Sequence, residues 1–223
     1  MNEHEGHRKR LRTKLLNSGL SGFLDYEIIE LLLTIGIPRK DCKPLAKELI
    51  KKFKTVNGVI HADDNDLKQF KGIGETSIFA IKLMREMMIY AQNESLSGLA
   101  GDNISVRDVA DLAIKEIGFL KKEVFKVYCI STKGFVISSV VSIGAIDASI
   151  VHPRELFKIA IENSASSIVV VHNHPSGDIT PSDDDILTTR RLAEAGKILS
   201  ISLDDHIIVS STGYTSMEKE GYI

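Results

Sequence analysis

Apolar positions in the first part of the chain recur at three- and four-residue spacing. Leu24, Ile28, Leu31, Leu32 and Ile35 outline one helical face, which Gly36 and Pro38 bring to an end. Leu45, Leu49, Ile50 and Phe53 outline a second. Leu67 and Phe70 mark a short third helix, and Ile78, Ile81, Met84 and Met88 a fourth. No stretch here reads as a strand, so the pattern predicts a small all-helical domain over residues 1–92. Residues 93–104, NESLSGLAGDNI, are small and polar with two glycines and read as a linker.

Beyond it the period alternates. Ser105 is a suitable N-cap for a helix carrying Val106, Val109, Leu112, Ala113 and Ile117. Val124–Ile130 and Phe135–Ile143 are β-rich and meet around Gly134, which predicts a hairpin. Pro153 opens a helix bearing Leu156, Ile159 and Ala160. Ser167–Val171 reads as a short buried strand, residues 182–195 as a helix ended by Gly196, and Ile201–Val209 as another strand. This order predicts an α+β or α/β domain over 105–223, a sheet flanked by helices.

Composition leaves that picture standing and narrows the function classes. With 43% hydrophobic and 26% charged residues in 223, the chain is globular and allows one large domain or two small ones. No apolar run reaches the ~20 residues of a membrane span, and the opening MNEHEGHRKR is polar and unlike a signal peptide. A cytoplasmic protein without a membrane partner is expected. Cys42 and Cys129 are the only cysteines, which excludes a disulfide scaffold and a Cys-rich zinc finger. The net charge of −2 speaks against a strong nucleic-acid binder, yet it hides a split. Residues 1–92 carry 16 Lys and Arg against 12 Asp and Glu, a sum of +4, and residues 93–223 carry 12 against 18, a sum of −6. Two modules with different partners follow from that asymmetry.

The chemistry concentrates in VHNHPSGDITPSDDD, residues 171–185. His172 and His174 stand at i and i+2 at the end of a strand, so both imidazoles reach the same side. Ser182 follows Pro181 as an N-cap and places Asp185 in the first turn of the next helix. A strand end facing a helix start can bring the carboxylate to the two imidazoles. Two neutral imidazoles and one carboxylate make a three-ligand zinc set that leaves a fourth position for water, as catalytic zinc sites do. The same ligand count also describes the facial triad of non-haem iron oxygenases.

The string His-x-His-Pro, six residues, Ser-x-x-Asp matches the signature of the JAMM (JAB1/MPN/Mov34) metalloenzymes. The flanking VHPRELF, HNHPSGD, PSDDD and DHIIV resemble more narrowly the bacterial RadC family. The resemblance implies a JAMM-type (MPN, cytidine-deaminase-like) sheet domain. It also implies one Zn²⁺ per chain on His172, His174 and Asp185, with Ser182 hydrogen-bonding the developing oxyanion. Such enzymes take their catalytic glutamate from an early strand, which points to Glu123 at the head of KKEVFKVYCI, with Glu155 in VHPRELF as runner-up. Asp183 and Asp184 read as partners of the helix dipole. His206, in LDDHIIV, lies outside the ligand signature and reads as a core or supporting histidine, with Asp178, Asp204 or Asp205 as candidate carboxylate partners for the ligating imidazoles.

In the first module, KGIGETSIFAI, residues 71–81, places Gly72 and Gly74 between two helices and resembles a helix-hairpin-helix. Residues 1–92 as a whole resemble the N-terminal domain of RadC proteins. The resemblance implies weak, sequence-independent DNA binding, with backbone N–H groups of Gly72 and Gly74 at a phosphate and Lys71 beside it. Ser77 stands where a basic residue is frequent and Ile78 where a small one lets the helices close; Lys71 and Lys82 partly compensate. The function expected first is a zinc-dependent metallopeptidase acting on a peptide or isopeptide bond of a protein substrate. The alternative is a DNA-associated repair factor whose metal domain is a nuclease or is not catalytic.

Overall fold

In the computed structural model, residues 3–38, 40–97, 104–144 and 151–223 are described, and the chain divides into two compact units, Met1–Met88 and Ile89–Ile223. The first unit holds α1 (Glu3–Ser18), α2 (Asp25–Gly36), α3 (Lys43–Phe53), α4 (Val56–Ile60), α5 (Asp64–Lys68) and the start of α6 (Glu75–Ser97). Its core gathers Ile29, Leu33, Ala46, Leu49, Val59, Leu67 and Ile81. On α2 the buried face is Ile29, Leu32 and Leu33, while Ile35 and the N-cap residue Leu24 are exposed. The sequence DYEIIELLLTIG is apolar on nearly every side, so two helical registers fit it and only packing selects one. Two helices lie outside the expected set. Helix α1 is mostly polar and offers no apolar period, and α4 has only five residues. The segment expected as a linker stays helical to Ser97, and Leu96 joins the core of the second unit. Its residues 98–103 lie outside the described ones.

The second unit continues with α7 (Val106–Ile117), β1 (Val124–Ser131), β2 (Gly134–Ile143), α8 (Pro153–Glu162), β3 (Ser167–Asn173), α9 (Asp183–Leu199), β4 (Ser202–Ser210) and β5 (Gly213–Ser216). The sheet runs β2-β1-β3-β4-β5, antiparallel except for the parallel pair β3 and β4 joined through α9. Alternation along the strands covers both faces. Val124, Tyr128, Val169, Val171, Ile207 and Val209 pack with Val109, Leu112 and Ala113 of α7. Phe125, Val127, Cys129, Ile168 and Val170 pack with Leu156 and Phe157 of α8 and Leu192 of α9. The result is a mixed sheet between helical layers.

Local signals place the helix starts. Ser105 caps α7 by accepting from Asp108 N, and its partner Asp108 returns a bond to the Ser105 backbone. Gly196 does not end α9. That helix runs on to Leu199, and Ser200, at φ 57°, takes the left-handed position. Gly196 serves close approach instead: a Cβ there would sit 2.4 Å from Ile201 O and 3.3 Å from Phe157 Cζ.

Candidate metal centre

The site forms where β3 ends. Antiparallel pairing sets Phe125 of β1 opposite His172 of β3, so two residues back along β1 Glu123 falls toward His174 on the same face. The parallel neighbour β4 brings His206 opposite Val170, one step below His172 on that face. Helix α9 then starts above the strand ends, the place where open sheets with parallel strands expose their ligand sites.

Asp185 arrives through the helix cap. Ser182 Oγ accepts from Asp185 N at 3.2 Å and donates to Asp185 Oδ2 at 2.6 Å, and Ser182 N donates to the same oxygen at 2.8 Å. This reciprocal box fixes the carboxylate and leaves Oδ1 facing His172 Nε2 at 3.1 Å. Oδ2 also lies 3.6 Å from His174 Nε2, and the two Nε2 atoms are 3.0 Å apart. Donor atoms of Glu123, His172 and His174 all lie within 4.8 Å of one another. The residues proposed from the sequence as ligands and base thus converge on one point. Glu155 does not: it pairs with Arg154 at 2.9 Å on the surface of α8. Asp183 and Asp184 are exposed in the first turn of α9.

Orientation comes from partners that the sequence only partly disclosed. His174 Nδ1 lies 2.6 Å from the backbone oxygen of Asp178, which can only accept, so Nδ1 carries the proton and Nε2 presents a lone pair. His172 Nδ1 meets His206 Nε2 at 2.8 Å, and His206 Nδ1 meets Thr189 Oγ1 at 2.6 Å. The Phe125 ring stacks on His172 with centroids 5.9 Å apart and planes 6° apart. None of the candidate carboxylates serves an imidazole Nδ1. Asp178 uses its carbonyl, and buried Asp205 accepts from Ser216 Oγ, His206 N and Glu218 N. Asn173, between the two histidines, points to the opposite face. Its Oδ1 accepts from Val124 N at 2.8 Å, and its Nδ2 donates to Leu120 O at 3.2 Å and Lys122 O at 3.1 Å. It therefore clamps the backbone on both sides of Glu123. Only its place in His-x-His, where strand alternation turns the middle residue away, hinted at this in the sequence.

The donor set fits a small divalent cation. Two imidazole nitrogens and a carboxylate oxygen aimed at one point repel unless a cation lies among them. Their separations of 3.0–3.6 Å bracket the edge of about 3.3 Å expected for tetrahedral Zn–N bonds. Electrostatics run the same way. Hydrogen bonding to Asp185 raises the basicity of His174 against the opposing effect of burial. Burial pushes the Asp185 carboxyl up, but the Ser182 hydroxyl and the adjacent His172 and His174 imidazoles, which donate to it from Nε2 only when protonated, outweigh it and hold it well below the usual carboxylate range. Burial, above all, pushes His206 well below the ordinary histidine value.

In the first unit, Gly72 takes φ +110° between α5 and α6, and among the described residues nothing beyond its chain neighbours lies within 4 Å of where a Cβ of Gly74 would be. Ser77 is buried: a Cβ on Gly36 would lie 2.7 Å from its Cα and N, so the bare Gly36 lets the end of α2 close on α6 at Ser77. Ile78 joins the core instead of blocking that contact. Lys82 pairs with Asp64 at 2.7 Å on the surface, and Lys71 is exposed, as is Lys68 at the end of α5.

A five-stranded mixed sheet flanked by helices, with this cation-ready cluster at a strand end, defines a JAB-type domain, a class related to metallohydrolases that commonly binds zinc. The chain belongs to the RadC-like JAB domain family, whose model matches residues 104–222, and residues 4–79 match the UPF0758 N-terminal family. It is 41% identical over 228 residues to a UPF0758 protein of Fusobacterium nucleatum, covering 99% of this chain and 98% of that one. It is 38% identical to one of Caldanaerobacter subterraneus subsp. tengcongensis, covering 97% and 93%. A third, from Geobacillus kaustophilus, is 39% identical over 96% and 95%. No helix among the described residues is long and apolar enough to cross a membrane.

Proposed function

We propose that the second unit is a zinc-dependent hydrolase that cleaves a peptide or isopeptide bond in a protein substrate. The observation that carries this reading is the convergence of His172 Nε2, His174 Nε2 and the Asp185 carboxylate, with Glu123 beside the imidazoles. A Zn²⁺ held there would supply an acidified water and a Lewis acid for the scissile carbonyl. Glu123 then accepts the proton of the attacking water and returns it to the leaving amine. Ser182 stabilises the carbonyl oxygen as it gains charge, for which its hydroxyl must turn away from Asp185 Oδ2, its acceptor at 2.6 Å. The test is metal analysis together with a proteome-wide comparison of cleavage products for wild type and Glu123→Gln. One zinc per chain in both, with new termini made only by wild type, supports the reading. Zinc-free protein, or products indifferent to Glu123, refutes it.

A second reading, weak sequence-independent contact with duplex DNA through Lys71, Gly72 and Gly74, is favoured by the empty space at Gly74, which backbone N–H groups need if a phosphate is to come close. Duplex binding that weakens steeply with salt and is lost in Gly74→Ile supports it. Binding indifferent to that change removes it.

A further inference from the structure

Beneath the ligands lies a polar chain buried in an otherwise apolar layer. His172, Thr189 and His206 show no exposed surface, and Asp185 shows 4%. A buried chain of this kind is costly unless each donor finds an acceptor. The proton positions follow from the end that admits one choice. Thr189 Oγ1 lies 2.6 Å from the backbone oxygen of Asp185, one helical turn earlier on α9, and 3.3 Å from Met217 Sδ, both of which can only accept, and it donates to the nearer oxygen. With that proton committed, His206 Nδ1, 2.6 Å from Thr189 Oγ1, must be the donor of its pair. His206 Nε2 is then a bare lone pair, so at 2.8 Å His172 Nδ1 must donate to it. The proton of His172 thus sits on Nδ1, and its Nε2 lone pair faces His174 and Asp185.

We propose that His206 and Thr189 are positioning residues that lock His172 in the Nδ1–H tautomer and so hold its Nε2 ready for a divalent cation. The proposal rests on the metal reading above and deepens it. Stacking by Phe125 sets the plane of the His172 ring but leaves the place of its proton open. The relay settles the proton. It also ties one ligand to another, since it begins at the Asp185 backbone and ends at His172. The partner of His172 is a neutral imidazole where a carboxylate is the common choice, so it orients the ligand without adding negative charge under the cation.

Two measurements on the full chain test this. In metal-free wild type, ¹⁵N imidazole shifts report which nitrogen of His172 is protonated. Nδ1–H is expected, and Nε2–H as the ground state overturns the relay. Zinc affinity by chelator competition gives the second. His206→Phe keeps a ring without an acceptor and is expected to bind about 10–100-fold more weakly, the usual cost of losing such a partner. His206→Gln, whose carbonyl can accept from His172 Nδ1, should recover most of that loss. Thr189→Val, of the same size without the hydroxyl, should weaken zinc in the same direction if His206→Phe fails to fold. Affinities within about threefold of wild type in folded His206→Phe or Thr189→Val make the chain packing alone and overturn the proposal. Wild type that binds no zinc but shows Nδ1–H refutes the metal reading while leaving the tautomer lock intact.

Discussion

Asn173 is where the strand carrying the two site histidines governs the placement of Glu123, the candidate base. Replacing it with Ala removes three hydrogen bonds at once: from Val124 N at 2.8 Å, to Leu120 O at 3.2 Å and to Lys122 O at 3.1 Å. The Val124 bond is wholly buried, and its orphaned N–H costs about 1–3 kcal/mol. The two carbonyls are only part-buried and can recruit water in the space the side chain leaves, at about 1 kcal/mol each. The sum is about 3–5 kcal/mol, which at ~3 °C per kcal/mol lowers Tm by about 10 °C or more. Zinc binding should persist, because His172 stays paired with Phe125 and His174 N still donates to Val209 O at 2.9 Å. Glu123, no longer pinned on either side, loses its fixed distance to the imidazoles. Calorimetry with hydrogen exchange on the full chain measures both effects, with faster exchange expected across residues 120–124. A Tm within about 3 °C of wild type and unchanged exchange at Val124 would refute the clamp.

Two further outcomes follow from the packing. Gly196→Ala puts a methyl 2.4 Å from Ile201 O, so the α9–β4 connection must shift; unfolding should show a loss of about 2 kcal/mol or more, where an ordinary helical glycine would gain stability from alanine. Burial, and secondarily the charge of Arg85, lower the His61 pKa from 6.5 to about 4, so the unfolded chain binds this proton more readily than the folded one. The contribution is therefore complete above pH 6.5 and is lost as pH falls toward 4, with a limiting slope of about 1.4 kcal/mol per pH unit. His61→Gln should flatten the denaturation profile in that window, and an unchanged profile would show that His61 binds its proton equally well in the folded and unfolded chains.

The candidate ligands were legible because their spacing is local. His172 and His174 share a face by strand alternation, and Asp185 is three residues past a recognisable cap, so one fifteen-residue string specifies most of the set. Glu123 came from family resemblance, since it lies 49 residues before His172 and reaches it only through the β1–β3 register. His206 and Thr189 stood on separate elements with no spacing to join them. Where the pattern misled, it was degenerate or blind. Helix α2 is apolar on almost every side, α1 has no apolar face to read, and Gly196 looked like a helix end because a glycine needed for close approach has the same letter as one needed for a left-handed cap.

The sequence by itself determined most of the elements, the serine caps of α7 and α9 and the string that carries two imidazoles and a carboxylate, because each depends on residues within one or two turns or one strand of each other. Only the tertiary structure decided which nitrogen of each imidazole faces the candidate site, what holds the backbone around Glu123, and that Ser77 is where α2 and α6 meet. Those depend on which strands pair and which helices pack, and partners distant in the chain meet only once burial of the core has fixed the register.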